Sequence, residues 1–163
     1  MSFITLKVTI KSDHFDRFFA IDGKGMLAFT MAGAGSVTSS PALGPLSILY
    51  MDKYDNGTIS IRAPNNPGVF LRLDANDENK QTWGGNGFGT VNCQYFRENL
   101  PHPDGKEIPR LRAHPDGSSS LESVEDPGVF LRMDKLGTMN CQWYGAGRQG
   151  NRSWQLFTVI LLD

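Results

Sequence analysis

The sequence repeats itself, and this repetition limits the chain to architectures that are built from similar units. Residues 67–74 read PGVFLRLD, and residues 127–134 read PGVFLRMD. Each copy is followed by a second shared block, which reads GTVNCQY at 89–95 and GTMNCQW at 137–143. Two blocks in the same order indicate a duplicated structural unit, and a repeat of this kind determines the fold.

A weaker third copy opens the chain. Residues 18–22 read FFAID and align with the first block, and residues 25–31 read GMLAFTM and align with the second. The pattern predicts three units that begin near residues 3, 57 and 117. With 163 residues, the chain is long enough to bury a core as one domain over 1–163. The predicted units lie at about 1–56, 57–116 and 117–163.

The local patterns indicate strands. Residues 58–62 alternate between polar and apolar side chains, turn-forming residues occupy 55–57 and 116–117, and no long segment has helical spacing. Four strands are therefore predicted in each unit. They lie at 3–10, 17–22, 26–31 and 46–51, at 58–63, 69–74, 90–95 and 108–113, and at 118–124, 129–134, 138–143 and 154–160. We expect a closed antiparallel barrel in which the last strand pairs with the first, because closure removes exposed sheet edges.

Three four-stranded units with second strands of the form Gly-x-Phe-Leu-Arg-x-Asp resemble the β-trefoil superfamily, in particular its cytokine and fascin-like branches. The resemblance covers the whole chain and implies an all-β trefoil of three pseudo-symmetric units closing a short barrel. Members serve as lectins, growth factors and interleukins, protease inhibitors and actin-bundling modules. The fold alone does not choose among these functions.

Composition and motifs argue against several other functions. The net charge of −1 creates no field that would attract nucleic acid or an anionic membrane. Residues 1–7 lack the features of a signal peptide, so we expect a cytoplasmic protein or one exported without a classical signal. Cys93 and Cys141 occupy equivalent repeat positions, which indicates duplication and predicts two buried, reduced thiols rather than a disulfide.

Enzyme chemistry finds little support in the sequence. His14, His102 and His114 occupy non-equivalent loop positions without metal-ligand spacing, and the glycine-rich segments 33–36 and 84–89 do not match nucleotide-binding patterns. We therefore expect a non-enzymatic binding protein that uses neither a cofactor nor a metal.

The polar residues shared by the second and third units suggest two related sugar sites. Sugar hydroxyls are bound by planar carboxylate, amide and guanidinium groups, and an aromatic ring can cover the apolar face of a pyranose. The predicted ligand-binding residues are Arg72, Asp74, Asn92, Gln94, Tyr95, Arg132, Asp134, Asn140, Gln142 and Trp143. The first unit keeps only Asp22 of this set and is expected to bind no sugar.

Strand alternation predicts that Asn92 and Gln94 point outward, on the face opposite Val91, Cys93 and Tyr95. An alternative is that the shared polar groups cap turns and brace loops. The aspartate that ends each second strand favours this alternative, because Asx turns are common there.

The sugar site of ricin-type lectins cannot be transferred to this chain. Those lectins carry Gln-x-Trp near the fourth strand, whereas Gln142 and Trp143 are adjacent here. The comparable fourth-strand element reads WQLF at 154–157, and Trp154 is interpreted as a core residue.

An insertion in the second unit offers a different kind of site. Fourteen residues separate Asp74 from Gly89, but only two separate Asp134 from Gly137. The inserted loop, residues 75–88, contains Trp83, which either anchors a ligand or folds back over the barrel. The predicted partners are therefore glycans or, alternatively, a protein target of an actin-binding, protease-inhibiting or cytokine-like trefoil. The oligomeric state is left open.

Overall fold

The computed structural model describes residues 2–26, 36–75, 80, 89–96, 105–144 and 153–162. Within them lie twelve antiparallel strands, which connect into one sheet. In chain order the strands are β1 (Phe3–Ser12), β2 (Phe18–Asp22), β3 (Ser36–Ser40), β4 (Leu49–Tyr54), β5 (Ile59–Ala63), β6 (Asn66–Asp74), β7 (Thr90–Tyr95), β8 (Arg110–Ala113), β9 (Ser119–Glu122), β10 (Val129–Met133), β11 (Met139–Trp143) and β12 (Phe157–Leu161). A short 3-10 turn precedes the fourth strand of each unit, at Pro45–Ser47, Gly105–Glu107 and Ser153–Gln155. No helix in the described part of the chain is long and apolar enough to cross a membrane.

Six of the strands form a closed barrel. β12 pairs with β1, β1 with β4, β4 with β5, β8 with β9 and β9 with β12. A bridge between Thr58 and Arg110 joins β5 to β8 and completes the ring. The predicted pairing of the last strand with the first is confirmed, in a register that runs from Val8 opposite Leu161 to Ser12 opposite Phe157. Closure leaves the barrel strands with neighbours on both sides.

The barrel strands bury alternate apolar side chains, as the period of two requires. Ile59 and Ile61 on β5 are buried together with Val8 and Ile10 on β1. The side chains of these residues belong to one continuous core cluster. The alternating apolar residues of β1 and β5 therefore lie in the interior.

The other six strands form three hairpins, β2–β3, β6–β7 and β10–β11, one in each unit. A ring of hydrogen bonds runs from the third strand of each unit to a backbone carbonyl of another unit. The thiol of Cys93 donates to the carbonyl of Ser36 at 3.7 Å, and the thiol of Cys141 donates to the carbonyl of Thr90 at 3.7 Å. The hydroxyl of Ser39, which takes the same position in the first unit, donates to the carbonyl of Gly137 at 2.6 Å. Each unit is thus bonded to another unit.

The two thiols are free and buried, which confirms the prediction that they are unpaired core residues. Burial raises the pKa of Cys93 and of Cys141 from the usual 9.0 to about 12. Because each folded-state pKa lies above the unfolded value, the stability contributed by the neutral thiols is complete below pH 9 and is lost as pH rises toward 12.

We expect a thiol-reactive disulfide reagent to label neither cysteine of the folded protein near neutral pH, because the nucleophile is the thiolate. Both cysteines should react once guanidinium unfolds the chain, and the released chromophore measures this. Rapid labelling without denaturant would contradict the burial of the thiols.

The third strand of the first unit lies elsewhere than predicted. β3 is Ser36–Ser40, not 26–31, and Asp22 faces Ser36 as Asp74 faces Thr90. The misleading signal was Gly25, which has a positive φ of 82° and lies three residues after Asp22, as Gly137, with a φ of 79°, lies three residues after Asp134, whereas the strand that pairs with β2 begins at Ser36. Residues 27–31 lie outside the described residues.

This correction changes the meaning of the inserted loop. Thirteen residues, 23–35, connect β2 to β3, and fifteen residues, 75–89, connect β6 to β7. The third unit alone has a short connection. The long loop of the second unit is therefore not unique to that unit.

An ion pair with a buried carboxylate occurs twice on the barrel with opposite polarity. Asp52 on β4 lies opposite Ser60 and pairs with Arg62. Its counterpart on β8, opposite Ser120, is Arg112, which pairs with Glu122 on β9. The duplicated units have kept the interaction and exchanged its charges.

Candidate functional site

In the second unit, the guanidinium group of Arg72 brings together residues from two strands and a turn. Its Nη1 donates to Asn92 Oδ1 at 3.3 Å, and its Nη2 lies 2.9 Å from Asp74 Oδ2. Its Nε lies 3.7 Å from Oε1 of Glu107, at the end of the 3-10 turn. We call Arg72, Asp74, Asn92 and Glu107 the Arg72 network. Three of its members were predicted site residues, and Glu107 was missed.

The hairpin places these side chains together. Arg72 on β6 and Asn92 on β7 are directly opposite each other in the ladder, and Asp74 is two residues along the same face. The side chains of Arg72 and Asp74 are 18% and 23% exposed, and Asn92 is half-buried. The Arg72 network is therefore accessible to a ligand, although Glu107 lies beneath it at 7% exposure.

A second layer of charge borders the Arg72 network. Lys106 Nζ lies 2.9 Å from Glu125 Oε1, and this hydrogen bond raises the pKa of Lys106. Lys106 also interacts electrostatically with Asp74 and Arg72. The 3-10 turn thus carries both Glu107 and the neighbouring cation.

The third unit arranges the corresponding residues differently. Arg132 lies opposite Asn140, as Arg72 lies opposite Asn92. The turn Ser153–Gln155 places Gln155 where the second unit has Glu107 and Trp154 where it has Lys106. The Arg132 guanidinium lies over the Trp154 ring, 4.7 Å from its centroid, which is cation–π geometry.

The polar set of the third unit is largely buried. Arg132, Asn140, Gln142 and Gln155 are all among the buried polar residues. Among the described residues, Asn140 Oδ1 and both polar atoms of the Gln155 side chain find no hydrogen-bond partner. Buried polar atoms without a partner are rare in proteins. Because its members are buried, this polar set is less accessible to a ligand than the Arg72 network.

The aspartates that end the second strands have different roles. Asp134 Oδ1 accepts from the backbone N–H groups of Leu136 and Thr138, both at 2.9 Å. Asp22 Oδ1 accepts from Asn65 Nδ2 and from the Lys24 N–H, which together lower the pKa of Asp22. The turn-capping alternative is thus confirmed for both residues, whereas Asp74 pairs with Arg72.

The prediction that Asn92 and Gln94 point outward is wrong for Gln94, which is buried, and the corresponding amides of the third unit, Asn140 and Gln142, are buried too. Gln94 Nε2 donates to the carbonyl of Tyr95 at 3.1 Å, and Gln142 Nε2 donates to that of Trp143 at 3.0 Å. The side chains turn back onto their own strands because a buried amide must find a backbone partner. Only Asn92 of the four predicted amides is partly exposed.

The aromatic residues separate into two groups. Tyr95 and Trp143 are half-buried and pack against the core cluster. The interpretation of Trp154 as a core residue is wrong, because Trp154 is half-buried at the seam between the third and first units. Its ring centroid lies 5.2 Å from that of Phe15 and 6.2 Å from that of His14. Alignment of the fourth strands would have revealed that Trp154 replaces Lys106.

Most of the inserted loop, residues 75–88, lies outside the described residues. Trp83 lies outside the described residues, and of the segment 75–88 only Ala75 and Lys80 are described. Lys80 Nζ lies 3.4 Å from Asp126 Oδ1, which places this part of the loop beside the third unit.

Comparisons with known proteins establish the fold. The structure is similar to that of ThreeFoil, a designed three-fold symmetric protein, with a TM-score of 0.67 and 14% sequence identity. The match covers 96% of this chain and 99% of the designed chain. The chain is a β-trefoil. The structure is also similar to part of a mosquitocidal holotoxin, with a TM-score of 0.69 and 12% sequence identity. That match covers all of this chain and 18% of the toxin chain. No protein-family model matches the sequence.

One curated protein is similar in sequence to the trefoil. Alpha-L-arabinofuranosidase 43 from Humicola insolens is 25% identical over 130 residues, which cover 78% of this chain and 26% of the enzyme. The trefoil therefore spans about a quarter of the length of that relative.

Proposed function

We propose that this trefoil is a non-enzymatic carbohydrate-binding domain and that its sugar site is the Arg72 network. The observation that carries the proposal is the convergence of a guanidinium, a carboxylate and an amide at one accessible point of the second unit. These planar groups supply the donors and acceptors that adjacent sugar hydroxyls require.

The contacts within the Arg72 network favour binding in a second way. Arg72 is held by Asn92, Asp74 and Glu107 before a ligand arrives. Side chains that are already ordered lose less conformational entropy on binding. The hairpin thus presents a preorganised polar surface. Such a surface favours the binding of a ligand that binds weakly, such as a sugar.

Binding without catalysis fits the two carboxylates of the Arg72 network. Most glycosidases place one protonated and one ionised carboxyl group on either side of the scissile bond. Asp74 and Glu107 instead lie against one guanidinium, an arrangement that suits a binding surface.

The similarity to an arabinofuranosidase supports the carbohydrate class. The matched stretch is about a quarter of that enzyme, as expected for a sugar-binding module attached to a separate catalytic domain. We assign no particular sugar on this ground, because the identity is only 25%.

A broad glycan array with labelled protein tests the proposal. We expect specific binding that free sugar competes away, and Asn92→Ala should weaken it roughly tenfold through the loss of one hydrogen-bonding partner. The matched variant Asn140→Ala should change binding little, because Asn140 is buried in the third unit.

Two results would contradict this site. A blank array with folded wild-type protein would refute carbohydrate binding. Loss of binding in Trp83→Ala, with Asn92→Ala unaffected, would move the site to the inserted loop, so both variants belong in the same series.

A further inference from the structure

One barrel strand carries two arginines on its outer face. Arg110 and Arg112 on β8 lie opposite Glu122 and Ser120 of β9 in the ladder. Leu111, between them, packs against the core cluster. Because side chains alternate along a strand and residues two apart are separated by about 7 Å, both guanidinium groups point away from the barrel interior and lie side by side. We call Arg110 and Arg112 the β8 arginine pair.

The β8 arginine pair has N–H donors that the fold does not use. Arg112 contacts Glu122 through Nε, and its side chain is 34% exposed. Glu122 is 4% exposed, and its second oxygen accepts from the N–H of Gly128 at 2.9 Å. Arg110 is half-buried and forms no hydrogen bond or ion pair in the part of the chain that the structure describes. Since each guanidinium has five N–H donors in a planar fork, both arginines can still bind a ligand.

The turn beside Arg110 leaves this guanidinium open to approach. The bridge between Thr58 and Arg110 places Arg110 next to the turn that joins β4 to β5. A Cβ at Gly57 in this turn would lie 3.7 Å from Arg110 Nη1. Because Gly57 is exposed and has no side chain, it does not cover this nitrogen.

The fold does not require arginines at these two positions. The register places Tyr50 and Asp52 at the equivalent positions of β4, and Thr158 and Ile160 at those of β12. The same barrel thus accepts aromatic, acidic, hydroxyl and aliphatic side chains there. The β8 arginine pair is consequently a feature of the second unit alone.

Charge complementarity selects the partner of the β8 arginine pair. Guanidinium groups bind carboxylate and sulfate through parallel N–H groups, and two of them about 7 Å apart suit a chain that repeats its acidic groups. The net charge of −1 gives the protein no long-range field of the kind that attracts nucleic acid. An acidic polysaccharide fits both observations.

We propose that the β8 arginine pair is a second ligand site, which binds the carboxylate or sulfate groups of an acidic glycan. This inference takes the class of ligand from the proposed carbohydrate function. The site is separate from the Arg72 network, because Arg72 lies on the β6–β7 hairpin and the pair lies on a barrel strand. The protein then has one site for sugar hydroxyls and another for acidic groups.

Titration calorimetry at low salt tests the second site with polygalacturonate, with a sulfated galactan and with neutral galactan as the reference. We expect tighter binding of at least one acidic polymer, which assigns the acidic group, and a smaller preference at high salt. Arg110→Gln should weaken acidic binding at least about tenfold, because it removes charge-assisted hydrogen bonds. The variant should fold, since Arg110 has no partner among the described residues.

Two further variants separate the β8 arginine pair from a general effect of charge. Lys135→Gln removes the same charge from an exposed residue in the β10–β11 turn and should leave acidic binding unchanged. Arg112→Lys keeps a cation beside Glu122 but removes the planar fork, so it should also weaken acidic binding. Circular dichroism checks that both variants fold.

Several results would overturn this inference. They are unchanged acidic binding in Arg110→Gln, an equal loss in Lys135→Gln, and binding of galactan or of duplex DNA as tight as that of the acidic polymers. Neutral glycans that bind on the array, while neither acidic polymer binds, would overturn this inference and leave the Arg72 network as the sugar site. A blank array would overturn both proposals.

Discussion

Replacement of Arg62 with alanine is expected to lower the free energy of unfolding by about 3–5 kcal/mol, because it leaves a buried carboxylate without its cation. The side chain of Asp52 is 4% exposed, and Arg62 binds it through Nε at 2.7 Å and Nη2 at 2.9 Å. The hydroxyl groups of Thr5 and Ser60 also donate to Asp52 but carry no compensating charge. Guanidinium denaturation followed by circular dichroism measures the change.

The double variant Arg62→Ala/Asp52→Asn serves as the control. It removes the orphaned charge and should recover part of the lost stability, because the desolvated carboxylate is the main cost. The reversed pair gives a further comparison in Arg112→Ala, which leaves Glu122 with the N–H of Gly128 as a donor. A wild-type denaturation midpoint for Arg62→Ala would show that Asp52 does not depend on this cation.

Replacement of Gly137 with alanine is expected to cost about 2–4 kcal/mol, because strain and overlap act together. Gly137 has a φ of 79°, which L-residues rarely adopt. A Cβ at this position would lie 2.5 Å from Ser39 Oγ and 2.7 Å from Arg17 Nε, so it would also disturb the hydrogen bond between Ser39 and the Gly137 carbonyl. Thermal unfolding measures the loss.

Gly25 offers a matched control for this substitution. It lies three residues after Asp22, as Gly137 lies three residues after Asp134, and has a φ of 82°, but a Cβ there would meet no described atom within 4 Å. Gly25→Ala should therefore cost only the backbone strain, about 1–2 kcal/mol. Equal losses in the two variants would show that the contact with Ser39 and Arg17 adds nothing.

The repeat and the alternation of side chains predicted the trefoil because both are local properties of the chain. The alternation that includes Ile59 and Ile61 predicts a strand from neighbouring residues alone. The glycines, which adopt a positive φ, indicate the turns between strands in the same local way. The same logic failed at Gly25, where a glycine with a positive φ like that of Gly137 is followed by a longer connection to the strand that pairs with β2. Turn chemistry specifies how a strand ends but not where the next strand begins.

The candidate site was predictable only in part. The shared residues pointed to Arg72, Asp74 and Asn92, which do meet in space. Alternation assigned Gln94 to the correct strand face but could not show that this face is covered. Glu107 was missed because it lies outside the two blocks that are repeated within the chain. A single 3-10 turn brings it to Arg72, and no periodic pattern in the sequence indicates such a turn.

The opposite polarity of the two barrel ion pairs limits how the repeats can be recombined. A chimera that kept β4 and replaced β5 with β9 would bring the carboxylate of Glu122 beside that of Asp52, and the reverse exchange would bring two guanidinium groups together. Like charges that face each other across strands destabilise a sheet. Duplication and shuffling can therefore move these strands only as the complete hairpins β4–β5 and β8–β9, each of which spans the boundary between two units. A symmetrised protein built from three copies of the second unit would place Arg112 of one copy beside Arg62 of the next, so one of the two positions must become a carboxylate.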